Sequence, residues 1–186
     1  MFQRLLCALA LVGAGASSHA GETWTFTYTG FIDSTDGSFV PDRQLLGSFT
    51  GIDSDRNGIV ERAEITSLIL DGKDFVACET DSNEYYHCGT HSFSYSTLAG
   101  PAFSVGEWGS DPEGWVGGGH YIIAGDGDYT YHYRPGYDEQ HAWLWAPQTG
   151  FSITSPNPEP GTWAMLGVGL LVTTWATRRR RRPPQR

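Results

Sequence analysis

Residues 161–177 carry no charge and run directly into five consecutive arginines, Arg178–Arg182. As a helix, 17 residues at ~1.5 Å each span roughly 25 Å, the short end of what crosses a bilayer. Trp163 and Trp175 stand near the two ends of the run, where indole rings favour the headgroup level. Arg178, Arg179, Arg180 and the two arginines after them should stay cytoplasmic, so the preceding chain lies outside. The other end of the chain is also set apart. Arg4 gives a short basic start, Leu5–Ala16 is an apolar run, and Ser18 and Ala20 supply the small residues of a cleavage site. This pattern predicts a secretory signal peptide over residues 1–20, too short to span a membrane. What can fold as a domain is therefore confined to residues 21–155, which is enough for one core.

The tail has a fixed internal order. Pro158-Glu159-Pro160 comes first, the uncharged run second and the arginine cluster last. This arrangement resembles the PEP-CTERM sorting signal, the substrate tail of exosortases. The resemblance implies a Gram-negative bacterium that makes exopolysaccharide. It further implies that exosortase, a membrane protease, recognises Pro158, Glu159 and Pro160 and removes the helix. The protein would be held transiently in the inner membrane, then left on the cell surface or outside the cell. An ordinary single-span anchor has the same hydropathy, and the Pro-Glu-Pro separates the two. The prolines of Ser155-Pro156-Asn157-Pro158 should form an extended, semi-rigid spacer that gives a membrane protease access.

Residues 21–155 hold 20 acidic and five basic side chains, a net charge of −15. That charge argues against nucleic acid or anionic lipid as partners and suits bound cations or plain solubility. Cys7 leaves with the signal peptide, so Cys78 and Cys88 remain as a pair. In an oxidising compartment they predict a disulfide. His87 and His91 flank Cys88 but match no zinc spacing.

The domain reads as strands. Trp24–Thr29 alternates aromatic residues with threonine, the period-two pattern of a half-buried strand. Asp33–Asp42 reads as a polar loop, Leu45–Ile52 as a second strand and Ile65–Leu70 as a strand or a helix. Phe75–Cys78 and Ser92–Thr97 are shorter strand candidates. Tyr121–Ala124 and Tyr129–Tyr133 flank Gly125-Asp126-Gly127-Asp128, a strong hairpin signal. Tyr129, Tyr131 and Tyr133 then share one face, and Trp143 and Trp145 another. Phe151–Thr154 ends the series. With no long amphipathic helix, the expected class is all-β, a sandwich or jelly roll, between a signal helix and a transmembrane helix.

One motif carries chemistry. Residues 53–64 match a twelve-residue EF-hand loop, in which hard oxygens at alternate positions wrap a Ca²⁺. Asp53, Asp55 and Asn57 offer side-chain oxygens, Ile59 a carbonyl, Glu61 a water-mediated contact and Glu64 a bidentate carboxylate. Gly58 permits the turn and Val60 anchors the loop inward. The flanks make poor helices, so the loop is expected between β-elements with one helical turn at Glu61–Glu64. Asp126-Gly127-Asp128 offers a weaker second metal site, for which a plain hairpin turn is the preferred reading.

Catalytic motifs are missing: no Gly-x-Ser-x-Gly, His-Glu-x-x-His or phosphate loop occurs. Glu107, Asp111, Glu113 and Glu139 lie near aromatics, as glycosidase acids do, but any acidic aromatic β-protein has such neighbours. The sequence therefore predicts a non-enzymatic, Ca²⁺-stabilised structural or adhesive protein of the envelope or extracellular matrix. The alternative is a carbohydrate-binding module for exopolysaccharide, with Trp108, Trp115, Trp143 and Trp145 as stacking platforms.

Overall fold

The computed structural model describes residues 21–154 and 156. The expected signal peptide and transmembrane tail, with Pro158, Glu159, Pro160, Trp163, Trp175 and Arg178–Arg180, lie outside the described residues. Among the described residues, no helix is long and apolar enough to cross a membrane.

The described residues form eleven strands and two short 3-10 turns. The strands are β1 (Glu22–Asp33), β2 (Phe39–Gly51), β3 (Val60–Glu61), β4 (Ile65–Leu70), β5 (Lys73–Asp74) and β6 (Tyr86–Ser96). They continue as β7 (Gly100–Ser110), β8 (Gly117–Ile123), β9 (Gly127–Arg134), β10 (Tyr137–Leu144) and β11 (Gly150–Thr154). All pair antiparallel in one sheet of order β3-β6-β7-β8-β9-β10-β1-β2-β4-β5, with β11 also on β1.

The sheet folds over on itself. Phe49 on β2 lies 4.9 Å from both Phe93 and Tyr95 on β6, and Phe26 on β1 lies 5.8 Å from Phe103 on β7. Three strands separate the Phe26–Phe103 pair along the sheet and five separate the Phe49 pairs, so the rings meet across the core. Trp24, Phe26, Leu45, Phe49, Leu68 and Val105 are all buried in it. The all-β class holds, and its two facing layers belong to one continuous sheet.

Several local expectations are corrected. The Asp33–Asp42 loop shrinks to residues 34–38, because β1 and β2 extend through most of it. Between Thr29 and Phe31 the β1–β2 register slips, from Gln44 opposite Thr29 to Val40 opposite Phe31. Such a bulge tolerates Pro41, whose missing N–H has no strand to serve there. Ile65–Leu70 is a strand, since Ile65, Leu68 and Leu70 face the core while β2 pairs alongside. Phe75–Cys78 is no strand. The Asp74 carboxylate accepts the amides of Leu68, Val76 and Ala77, which turns the chain into a 3-10 segment at Ala77–Asp81 with Phe75 buried. β7 and most of β10 went unread in the sequence, because glycine, serine and other small or polar residues interrupt the apolar alternation in both.

Candidate functional site

The Asp53–Glu64 loop sits where the two layers meet. β2 ends at Gly51, and the chain crosses to place Val60 and Glu61 against Tyr95 and Ser94 of β6. A single 3-10 turn, Arg62–Glu64, then returns it to β4, where Ile65 pairs with Gly51. The loop thus leaves one layer, touches the other and comes back.

Inside the loop the acidic side chains converge. Oxygens of Asp53, Asp55 and Glu64 lie within 4.8 Å of one another. Asp53 accepts the amides of Asn57 at 3.1 Å and Gly58 at 2.9 Å, and Asn57 Oδ1 accepts the Ile59 amide at 2.7 Å. Gly58 takes φ = 85°, the left-handed turn that this position requires. Val60 is buried, as an inward anchor should be. Glu64 closes the loop: one oxygen accepts the Ser54 amide and hydroxyl at 2.7 and 2.5 Å, the other the Glu61 amide at 3.1 Å. The Ser54 hydroxyl first, then the Glu61 and Ser54 amides, hold its carboxyl down at about 2. The donor set is wholly hard oxygen, which fits Ca²⁺ in chemistry and in spacing.

The four tryptophans considered as stacking platforms do not act together. Trp108 and Trp115 are 45% and 65% exposed, Trp115 on the turn between β7 and β8. Trp143 lies under the Arg43 guanidinium at 5.5 Å. Trp145 packs edge-on against Phe31 at 4.8 Å and Tyr28 at 5.3 Å. The latter two are half-buried against the core and cannot offer a free ring face.

The carboxylates considered for catalysis are also scattered. Asp111 accepts the Val116 amide at 2.8 Å and shapes a turn. Glu139 accepts the Tyr137 hydroxyl, and Glu113 is exposed beside Trp115. Glu107 pairs with Lys73 and accepts the Tyr86 hydroxyl at 2.5 Å. Burial raises its pKa, but those two partners outweigh burial and leave it below the ordinary carboxylate value.

Residues 158–181 match the family model of the PEP-CTERM protein-sorting motif. The motif implies export, transient membrane anchoring and processing by exosortase, before release or surface display. No curated protein and no solved structure matches the chain.

Export of this PEP-CTERM-tailed chain suits the Cys78–Cys88 disulfide, which ties the 3-10 segment to β6. Glu79, in the same segment, accepts the Thr90 amide at 3.0 Å and pairs with Arg62 of the acidic loop.

A second polar group escaped sequence reasoning. Arg43 reaches Asp71 at 3.3 Å and the buried Asp128 at 3.2 Å. Asp128 also holds His120 Nε2 at 2.6 Å, and that hydrogen bond outweighs burial to raise the imidazole pKa. Together with Lys73–Glu107, these pairs join β2 and β5 to β7, β8 and β9 across one end of the core. Asp126 instead accepts the Tyr129 hydroxyl at 2.8 Å, so Asp126 and Asp128 serve separate partners. The signal was non-local: the β1–β2 bulge displaces Arg43 toward partners up to 85 residues away.

Proposed function

We propose that this chain is exported, cut by exosortase near Pro158-Glu159-Pro160, and left outside the cell as a non-catalytic, Ca²⁺-stabilised adhesive module of the extracellular matrix. The observation that carries the reading is the oxygen cluster of Asp53, Asp55 and Glu64 at the joint between the two layers. Asn57, the Ile59 carbonyl and Glu61 would complete its shell. An ion there would clip the exit and the return of the loop and so hold the layers together. The two-layered, sandwich-like packing suits a module that displays a surface. A non-catalytic role is supported by Glu107, the candidate acid held between Lys73 and the Tyr86 hydroxyl, whose pKa those partners lower against the effect of burial. A glycosidase acid needs the opposite shift.

Fractionating a producing culture tests the placement. The protein is expected in the matrix fraction, ending near Pro158–Gly161 by intact mass. Recovery of tail-bearing protein in the membrane fraction alone overturns the reading.

Melting the full-length protein in mild detergent tests the metal. Extracellular Ca²⁺ sites bind with a Kd of ~10⁻⁴–10⁻³ M. At free Ca²⁺ tenfold above Kd, linkage adds about 1.4 kcal/mol, or a rise of ~2–6 °C in Tm. Mg²⁺ is expected to do less, because it holds its waters and prefers a smaller octahedral shell. Glu64→Gln should abolish most of the Ca²⁺ effect and leave the chelated protein's melting nearly unchanged. Equal melting in Ca²⁺ and in chelator would reduce the loop to a turn.

A further inference from the structure

We infer that the outer face of β7–β10 is a binding platform for a neutral polysaccharide, with Trp108, Tyr121, Tyr129, Tyr131 and Tyr133 as its contact surface. This names the partner surface of the adhesive module proposed above and rests on that reading.

The platform is built from glycines. Gly117 and Gly119 on β8 stand opposite Tyr133 and Tyr131 on β9. A Cβ on Gly119 would lie 2.7 Å from the Tyr131 ring, and one on Gly117 would lie 2.6 Å from the Tyr133 ring. The two tyrosines therefore lie across bare backbone, with one ring face on the sheet and the other turned outward. Two residues apart on a strand, they stand about 6.8 Å from each other, a spacing comparable to one sugar ring. Trp108 sits across Gly119 on the β7 side, stacked on His87 at 4.3 Å. Tyr121 and Tyr129 stack on each other at 4.7 Å and extend the row.

Charge selects the ligand. The outward positions of β7, β8, β9 and β10 hold no lysine or arginine, and Asp138 is their one carboxylate. The rest of the domain is strongly acidic, with 20 acidic residues against five basic ones in all. Such a domain repels an anionic glycan, and this face has no cation to recruit one. A groove of about 410 Å³ runs beside the row, with Tyr121, Tyr129, Tyr131, Gln140, Leu144 and Ser34 among its walls. None of its lining residues is Asp, Glu, Lys or Arg, and its one histidine, His141, is held by Asp33 at 3.1 Å. Hydroxyl and amide groups around outward ring faces suit a sugar, whose C–H face packs on an aromatic ring while its hydroxyls find hydrogen bonds at the rim. An exposed aromatic patch of this kind on an otherwise charged surface marks an interaction site.

The test is calorimetry on the full-length protein in mild detergent, with cello-oligosaccharides and laminari-oligosaccharides as neutral probes and alginate as the anionic one. Binding is expected to a neutral probe and not to alginate. Tyr131→Ala and Trp108→Ala should each weaken it at least tenfold, while Tyr131→Phe, which keeps the ring, and Trp115→Ala, off the platform, should bind as the parent does. Trp108 is 45% exposed, so its alanine variant reports on binding even where Tyr131→Ala fails to fold. Three outcomes overturn the proposal: no neutral glycan bound, alginate bound as tightly, or a concentration-dependent dimer abolished by Tyr131→Ala, which would make a second copy the occupant. Protein that stays in the matrix fraction yet binds no neutral glycan keeps the adhesive reading and removes this surface.

Discussion

Phe49→Ala is expected to destabilise the domain by about 3–5 kcal/mol, the usual cost of removing a buried phenylalanine. Phe49 is 1% exposed and is one of the rings through which the layers touch. It stacks on Trp24 at 4.8 Å within its own layer and meets Phe93 and Tyr95 at 4.9 Å in the other. Alanine would leave a void walled by three aromatic rings, which are too stiff to collapse into it. The lost burial and the cavity then add. Tm should fall by roughly 10–20 °C for a domain of this size. Urea melts would show a lower midpoint at nearly unchanged slope. Phe49→Leu should cost much less, since it keeps most of the volume. A loss below about 1 kcal/mol for Phe49→Ala would mean that the facing layers are not packed as described.

Replacing both cysteines, Cys78→Ser with Cys88→Ser, is expected to cost about 2.5–3 kcal/mol in the chain-entropy account. The bridge closes a short loop, with the cysteines ten residues apart. Opening it frees the unfolded chain and also releases the 3-10 segment from β6. That segment carries Glu79, whose carboxylate serves both the Thr90 amide and Arg62. Reductant should lower the parent's melting temperature by the same amount and leave the double variant unaffected. Alkylation of both cysteines in exported, unreduced protein would show that the bridge does not form.

How much of this was readable in advance followed from distance along the chain. The Asp53–Glu64 donors lie within twelve residues, so their spacing alone predicts convergence, and the structure brings Asp53, Asp55 and Glu64 together. The β8–β9 hairpin and the shared face of Tyr129, Tyr131 and Tyr133 were legible for the same reason: turn chemistry and a period of two are local. The roles of Trp108, Trp115, Trp143 and Trp145 were not legible. Exposure depends on which strand packs over a residue, and Phe31 covers Trp145 from more than a hundred positions away. The glycines at 117 and 119 read as breakers until β9 laid its tyrosines across them.

Three properties of the chain are local: its sorting tail, the all-β character of its folded part, and the convergence of hard oxygens in one loop. Each of these follows from hydropathy, period or spacing within a short window. Long-range packing decided that one sheet folds into two layers and that Arg43 and Asp128 join them at one end. It also decided that the aromatic platform faces outward while Trp143 and Trp145 turn to the core. A strand's inward side is set by its register with a neighbour, and those neighbours are distant in sequence.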